Sequence, residues 1–354
     1  MTMKAEAQAT RSGGHGQAGD SGVGGAWRGG GLSADQIQQL DEQGYLLVKG
    51  MLDPTADLDP ILHEYDGVLD RLAHTLFALG KVTSPYPELP FGERVSRMYE
   101  ESGEMLNHWF DFHLPQRHVT HDTPFWVGPA VFRTLVNPTL LDAVESVIGG
   151  EIYSNPVQHV RIKPPERRMG RQPDGRPVYG ATVWHQDNGV IQEDGDQSNI
   201  LTVWFPITDA LIEHGCLHVV PGSHRNGIYT HCPMEKGSNE VRIPDHLFPI
   251  ERALPLPMRR GDVLFLHKCT CHGSLSNLSD EVRISFDLRY NPVGERTGRE
   301  VFPGFVARSR NNPASELRDP EAWAELWYAT RRHMADANVD VSFNRWDPDA
   351  AGCA

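Results

Sequence analysis

The order of apolar and polar residues divides the chain into a helical first part and a strand-rich second part. Apolar residues recur at helical spacing over about 57–80, which predicts an amphipathic helix. A second helical pattern covers about 128–147, and Pro138 is expected to break it. Ser33 has the spacing of a capping box, so a shorter helix is expected to begin there and to end at Gly44. The segment YLLVKG that follows is predicted to be a strand.

From about residue 150 onward, short segments rich in Val, Ile, Thr and aromatic residues alternate with turn residues. This pattern is typical of an antiparallel sandwich or barrel, and it predicts a jelly-roll core. The segments are EIYSNPVQHVRIK, ATVWHQD, NILTVWFPI, CLHVVPG, GDVLFLH and VRISFDLRY. A last helix is expected to start at Asp319-Pro320 and to pack against the outside of this core.

The predicted fold class is therefore mainly β with flanking helices. Residues 1–31 are glycine-rich with almost no apolar side chains, which predicts a disordered leader. Residues 32–354 are expected to form a single domain. Its parts are a helical N-terminal part at 32–149, a jelly-roll core at 150–291, and a C-terminal extension with a helix at 292–354.

Composition narrows the range of partners. The formal net charge of −14 argues against nucleic-acid binding, which needs a basic face. No apolar run reaches the length of about 18 residues that a membrane span requires, and no secretory signal pattern begins the chain. We therefore expect a cytoplasmic protein with reduced thiols. Its five cysteines are Cys216, Cys232, Cys269, Cys271 and Cys353.

The segment TVWHQDNGV brings two metal-binding side chains together. On a strand, His185 and Asp187 would point to the same face, just before an Asn-Gly turn. A metal site needs a third ligand, and His272 is the best candidate because a strand opened by Arg283 follows it. Two histidines and one carboxylate form the facial triad of non-haem Fe(II) oxygenases. A nearby arginine suits the co-substrate 2-oxoglutarate, whose distal carboxylate a guanidinium can bind bidentately.

These motifs resemble the phytanoyl-CoA dioxygenase family, which carries them in the same order. They are HQD, then GCLHVVPGSH at 215–224, then HGSLSNLSDEVR at 272–283, preceded by the opening block LSADQIQQLDEQGYLLVKGML. The resemblance covers roughly residues 32–291. It implies a double-stranded β-helix (a cupin-like jelly roll) and a dioxygenase that uses Fe(II), 2-oxoglutarate and O2.

The resemblance also assigns roles to individual residues. His185, Asp187 and His272 match the iron ligands, which are the catalytic residues of the family. Arg283 matches the arginine that pairs with the C5 carboxylate of 2-oxoglutarate, and Ser274 matches a hydroxyl on the same carboxylate. The intact aspartate is typical of hydroxylation, desaturation or ring formation, since halogenases of this class replace it with a small residue.

Three further side chains are candidates for the co-substrate pocket. Trp204 matches a tryptophan that lines it, although a core aromatic explains the residue equally well. His159 and Arg161 alternate along one predicted strand with Lys163, so all three share a face. His159 and Arg161 are the candidates for contacts to the co-substrate there, and a solvated strand face is the alternative.

Other interpretations remain open at this stage. A metal-binding cupin-like protein without 2-oxoglutarate turnover is the alternative function. A zinc site at Cys269-Thr270-Cys271-His272 is disfavoured by its C-x-C spacing. The substrate is expected to be a small molecule, such as a natural product or metabolite, and the overall acidity disfavours acyl-CoA. The basic loop 164–180 and the acidic loop 188–199 are candidate lids, and the sequence leaves the oligomeric state undetermined.

Overall fold

The structure is a computed structural model that describes most of the chain. The described residues are 27, 29–170, 180–234, 240–343 and 345–353. The predicted leader therefore lies almost entirely outside the described residues, as does part of the basic loop. Trp27 is described, and its indole packs against the main hydrophobic core.

Six α-helices flank the sheets in the described part of the chain. They are α1 Ala34–Gln43, α2 Asp59–Ala78, α3 Phe91–Ser102, α4 Pro129–Leu135, α5 Pro138–Ile148 and α6 Pro320–Ala337. The capping box at Ser33 is confirmed, and Gly44 ends α1 in the left-handed conformation. Pro138 separates α4 from α5 as predicted, and the Asp319 side chain caps α6. A π-helical turn, Pro54–Leu58, precedes α2.

Thirteen strands are present among the described residues, and all their pairings are antiparallel. They are β1 Tyr45–Val48, β2 Glu151–Ser154, β3 His159–Lys163, β4 Thr182–His185, β5 Leu201–Pro206, β6 Leu217–Val219, β7 Cys232–Pro233, β8 Val241–Arg242, β9 Leu254–Leu256, β10 Val263–His267, β11 His272–Ser274, β12 Arg283–Pro292 and β13 Phe305–Ser309.

Two of the sheets build the jelly roll. The larger has the order β1-β10-β5-β12-β2-β13, with β3 paired to the first half of β12, and the smaller has the order β4-β11-β6-β9. Apolar residues of both sheets, including Leu217 and Leu264, form a core between them. Lys163 of the large sheet also reaches Ser274 of the small one. The predicted fold class is confirmed.

The strand β12 shows how the chain builds both a core and a polar chamber. Its even-numbered residues, such as Phe286 and Leu288, pack into the core shared with the helices. Its odd-numbered residues point to the opposite face, because side chains alternate along a strand. That face carries Arg283, Ser285, Asp287, Arg289 and Asn291, all buried. The space between the two sheets is therefore lined with charged groups, and we call it the chamber.

Two expectations need correction. Asp187 does not lie on the strand, because β4 ends at His185 and Asp187 begins the 3-10 turn Asp187–Val190. The cysteines are not all reduced thiols: Cys232 and Cys353 form a disulfide bond. The C-terminal tail returns to β7 and brings the two Cα atoms to 5.4 Å, a separation that a disulfide spans. Cys216, Cys269 and Cys271 are free and buried.

Candidate active site

His185, Asp187 and His272 come together at one point of the chamber. His272 is the first residue of β11 and lies directly opposite His185, the last residue of β4. One ligand atom from each of the three residues lies within 4.8 Å of the others. Among the residues that the structure describes, this is the one group of side chains that could hold a metal ion. The structure thus brings together the three side chains that the sequence predicted as ligands, and their binding of a metal stays a prediction.

Backbone carbonyls orient both imidazoles. Nδ1 of His185 lies 2.9 Å from the carbonyl oxygen of Val183, and Nδ1 of His272 lies 2.9 Å from that of Thr270. A proton on each Nδ1 leaves Nε2 unprotonated and free to bind a metal. Burial and the neighbouring His272 lower the pKa of His185 to about 3, so His185 is neutral at physiological pH. Neutral imidazole is the form that ligates iron.

Two partners fix the Asp187 carboxylate. Arg289 donates a hydrogen bond to Oδ1, and the Thr202 hydroxyl donates one to Oδ2. Burial raises the pKa of Asp187, but the Arg289 guanidinium, the two neighbouring imidazoles and the Thr202 hydrogen bond together outweigh burial and hold the pKa below its ordinary value. Asp187 is therefore an anion across the physiological range. Its role was predicted from the sequence, whereas the contribution of Arg289 was not.

The turn after Asp187 is held from outside the chamber. Gly189 packs so closely on the His231 ring that a Cβ atom would meet its Nε2 at 2.2 Å. Trp346 stacks on the same ring and donates to the Gly189 carbonyl, and Arg345 donates to the Asn188 carbonyl at 2.9 Å. Contacts from the C-terminal tail thus stabilise the turn that carries Asp187.

A second cluster of polar groups lies along β11 from the metal ligands. Lys163 donates to the Ser274 hydroxyl at 2.7 Å, and Ser274 donates to the Thr182 hydroxyl at 2.7 Å. Arg283 lies directly opposite Lys163 in the pairing of β3 and β12. Ser274 is two residues from His272, which places it about 7 Å along the strand on the same face. The sequence pattern indicates only that Lys163 shares a strand face with His159 and Arg161, and it does not predict the contact with Ser274.

Arg283 is buried without an acidic partner among the described residues. Its Nη1 donates to the Ser285 hydroxyl at 2.6 Å, and its Nε has no hydrogen-bond partner. Burial, followed by the charge of Arg161, lowers the pKa of Arg283 to about 10. The guanidinium carbon lies 5.7 Å from the centre of the Trp204 ring. Trp204 also belongs to the core between the sheets, as the alternative reading of this residue expected, while its contact with the co-substrate stays a prediction.

His159 and Arg161 lie on the chamber wall, where each has an acidic partner. Nδ1 of His159 lies 2.9 Å from Oδ2 of Asp111, and Arg161 donates to Asp287 at 3.1 Å. Burial raises the pKa of Asp111 to about 7. Half of the Arg161 side chain is exposed although it points inward, so this part of the chamber is open. Whether His159 and Arg161 contact the co-substrate stays a prediction.

The free cysteines do not form a metal site with His272. Burial raises the pKa of Cys216 to about 11 and that of Cys271 to about 12, which keeps both thiols protonated.

The described part of the basic loop does not meet the acidic loop. Arg168 pairs with Glu93 and Glu100 of α3, while Asp196 of the acidic loop pairs with Arg345. Residues 171–179 lie outside the described residues, so the lid hypothesis stays a prediction.

Comparison with known proteins agrees with this geometry. The chain is 24% identical over 316 residues to phytanoyl-CoA dioxygenase domain-containing protein 1 of Rattus norvegicus, which covers 82% of this chain and 98% of the relative. It is 26% identical over 266 residues to 1-deoxypentalenic acid 11-beta-hydroxylase of Streptomyces arenae, covering 73% and 81%. Among solved structures, the fold is similar to that of the non-heme monooxygenase ThoJ in its apo form, with a TM-score of 0.55 and 17% identity over 86% of this chain and 98% of that one.

The jelly roll with its His-Asp-His cluster defines the class of Fe(II)/2-oxoglutarate-dependent dioxygenases. The profile of the phytanoyl-CoA dioxygenase (PhyH) family matches residues 40–285, and the chain belongs to that family. It is an oxidoreductase, and the three clustered side chains fit Fe(II) because they supply two imidazoles and one carboxylate. Within the described ranges, no helix has the length and apolar character needed to cross a bilayer.

Proposed function

We propose that the protein oxidises an unactivated C–H bond of a small molecule, in most cases to an alcohol, while 2-oxoglutarate is converted to succinate and CO2. The observation that supports this proposal is a pair of sites along β11. His272 belongs to the metal-binding cluster, and two residues further along β11 the Ser274 hydroxyl accepts from Lys163. Lys163 lies opposite Arg283, a buried guanidinium without an acidic partner among the described residues. The Cα atoms of His272 and Ser274 are about 7 Å apart along the strand, a spacing that suits a five-carbon keto diacid held at both ends.

The chamber residues have distinct roles in this proposal. His185, Asp187 and His272 hold Fe(II), which supplies the chemistry that activates dioxygen. Arg283 binds the C5 carboxylate through its planar fork, and Ser274 adds a hydrogen bond. The Trp204 ring forms the wall against which the carbon chain of 2-oxoglutarate lies.

Lys163 joins this set because its ammonium group already lies at the Ser274 hydroxyl. A second cation beside Arg283 strengthens the attraction for a dicarboxylate. The Trp204 ring and the apolar core exclude water from the end of the chamber that binds the C5 carboxylate. Exclusion of water strengthens the attraction of this carboxylate to Arg283 and to Lys163. His159 and Arg161 precede Lys163 on β3 and form the rest of this wall of the chamber.

The small-molecule substrate class is supported by the hydroxylase from Streptomyces arenae, whose name gives 1-deoxypentalenic acid as its substrate. Asp187 supports hydroxylation, since it occupies the position that halogenases of this class leave to a halide. A cytoplasmic location stays a prediction.

Binding of 2-oxoglutarate to the Ni(II)-loaded protein tests the proposal. We expect calorimetry to show metal-dependent binding, and Arg283→Gln to weaken it about 30-fold or more, because loss of one partner of a buried charge pair costs about 2–5 kcal/mol. The matched control is Arg259→Gln, since Arg259 is exposed and pairs with Asp209 on the surface. Equal affinity in Arg283→Gln and wild type would contradict the assignment. A protein that holds metal but never binds 2-oxoglutarate would instead support the cupin-like alternative.

A further inference from the structure

Four arginines are buried among the described residues, and they fall into two pairs. Arg94 and Arg289 each form an ion pair with a carboxylate. Arg283 and Arg299 form none with the residues that the structure describes. A buried charge without a counter-charge is costly, so each unpaired guanidinium indicates an anion that binds there when the protein works. For Arg283 that anion is the C5 carboxylate of the co-substrate. The proposed function assigns no anion to Arg299.

Within the described part of the chain, the hydrogen bonds and ring contacts of the Arg299 guanidinium are with uncharged groups. Its Nη2 donates to the Val190 carbonyl at 2.9 Å, and its Nη1 lies 3.4 Å from Nε2 of His113. The guanidinium carbon lies 4.6 Å from the centre of the Phe343 ring. Its Nε is buried and has no hydrogen-bond partner. The residue is 6% exposed, so water does not solvate the charge either.

Neighbouring charges make this position still less favourable for a cation. Burial, and then the charges of Arg289 and Arg161, lower the pKa of Arg299 to about 9. Burial also holds the pKa of His113 well below its ordinary value, so that imidazole is neutral. The carboxylates of Asp287 and Asp187 act in the opposite direction, but among the described residues neither forms an ion pair with Arg299.

Arg299 lies near the metal ligands, away from the end that binds the C5 carboxylate. It contacts Val190, at the end of the turn that begins with Asp187. On β12, Arg283 precedes Arg289, the partner of Asp187, by six residues, or about 20 Å of extended strand. A single molecule of 2-oxoglutarate does not reach from Arg283 past the metal ligands to Arg299. The two unpaired arginines thus serve different anions.

The charges of the chamber lead to the same conclusion. Among the residues that the structure describes, five basic side chains face or border the chamber, against three carboxyl groups. The cations are Arg161, Lys163, Arg283, Arg289 and Arg299, and the carboxyl groups are Asp111, Asp187 and Asp287. Fe(II) and the 2-oxoglutarate dianion cancel each other in charge. The four arginines alone outnumber the three carboxyl groups, so an excess of positive charge persists when both are bound, even if Lys163, whose pKa burial lowers, is neutral.

We propose that the substrate carries a carboxylate and that Arg299, together with Arg161, binds it beyond the metal site. This inference rests on the proposed function, because it assigns the substrate class of the same chamber. Arg161 points into the open part of the chamber, and its pairing with Asp287 through Nη2 leaves other donors for a ligand. Arg299 belongs to the C-terminal extension, beyond residues 40–285 that match the family profile. The extension thus contributes a specificity residue of this chain.

Benzoate and benzamide test this proposal, because they share a shape and differ in charge. The protein is loaded with Mn(II) and saturated with 2-oxoglutarate under argon, so that the Arg283 end is occupied. Paramagnetic relaxation of the ligand protons then reports binding close to the metal. We expect benzoate to bind at least about 10-fold more tightly than benzamide, as a charge-assisted hydrogen bond predicts. Equal affinity of the two ligands would overturn the proposal.

Variants locate the site. Arg299→Gln and Arg161→Gln should each reduce the preference for benzoate, and Arg299→Lys should retain part of it. Arg296→Gln is the matched control, since Arg296 is exposed and lies within a surface pair with Glu300. Arg161→Gln keeps the test decisive if Arg299→Gln fails to fold, because Arg161 is half-exposed. An unchanged preference in the folded variants would overturn the assignment.

The same samples separate this inference from the proposed function. Metal-dependent binding of 2-oxoglutarate is measured before either benzene derivative is added. Its absence in the wild type would contradict the proposed function, whatever the benzoate result. Its presence without a preference for benzoate would contradict only the substrate class.

Discussion

The guanidinium of Arg289 donates a hydrogen bond to the carboxylate of Asp187, and both side chains are almost completely buried, at 3% and 2% exposure. Arg289 also lies 3.3 Å from Asp287 and donates to the Val157 carbonyl at 2.8 Å. It is therefore fixed on several sides before any metal binds. The arrangement presents Asp187 as an ionised and oriented ligand, so the metal does not have to displace a proton from it.

Replacing Arg289 tests this relationship. In Arg289→Met, we expect metal affinity to fall about 10- to 100-fold, as is typical when a partner of a metal ligand is removed. The pKa of Asp187 should also rise, because burial then acts without the opposing charge. The metal affinity of the variant should therefore decrease more steeply from pH 7 to pH 5 than the metal affinity of wild type does. Titration with Co(II) at both pH values measures this.

Arg308→Met is the matched control for Arg289→Met. Arg308 is also a largely buried arginine with two acidic partners, Asp142 and Glu145, but it contacts α5 on the outer side of the fold. Its variant should bind Co(II) as wild type does. If both variants lost the same affinity at both pH values, Arg289 would be a structural residue and not a partner of the ligand.

Lys163 gives a pH-dependent prediction for stability. Burial and the charge of Arg283 hold the pKa of Lys163 well below its ordinary value. The folded chain therefore releases this proton at a pH where the unfolded chain still binds it. Because the unfolded state binds more protons in that window, stability rises with pH there. Without 2-oxoglutarate, the free energy of unfolding of wild type should increase relative to Lys163→Met from neutral to alkaline pH.

Urea denaturation of both proteins at several pH values measures that difference, and Lys163→Met should also bind 2-oxoglutarate more weakly. Lys81→Met is the control, because Lys81 pairs with Glu104 on the surface. A stability difference that stays constant with pH would show that Lys163 does not titrate as proposed.

The disulfide between Cys232 and Cys353 closes a loop with a sequence separation of 121 residues. A cross-link of this length restricts the unfolded chain, and its loss costs typically about 2–4 kcal/mol. We expect reductant to lower the melting temperature of wild type but not that of Cys353→Ser. Cys216→Ala should still respond to reductant as wild type does, since Cys216 is a free thiol. Equal responses of wild type and Cys353→Ser would contradict the pairing.

The sequence predicted the long elements well, and it missed elements whose stability comes from pairing. The large sheet was anticipated because β5 is rich in β-branched and aromatic residues and β12 alternates between polar and apolar residues. The short strand β9 contains Pro255 and has little propensity of its own, so its pairing with β6 defines it. In α3 the apolar residues Phe91, Val95 and Met98 do have helical spacing, but mostly polar residues surround them.

The same division holds for the active site. The metal ligands and Arg283 lie in short motifs with fixed spacing, so the sequence predicted them. Arg289 had a signal that could have been used, since it lies six residues after Arg283 and therefore on the same face of the strand. Asp111 and Arg299 had none, because distant segments bring them to the chamber and no local pattern encodes that contact.

Succinate formation tests the central claim most directly. Wild type is incubated with Fe(II), 2-oxoglutarate and oxygen, beside His272→Ala, Asp187→Ala and the control His267→Ala, with circular dichroism to verify folding. We predict that wild type and His267→Ala form succinate only when Fe(II) and oxygen are both present, even without the native substrate. The two ligand variants should fold and form none. Succinate from a folded His272→Ala or Asp187→Ala protein, or none from iron-loaded wild type, would contradict the account.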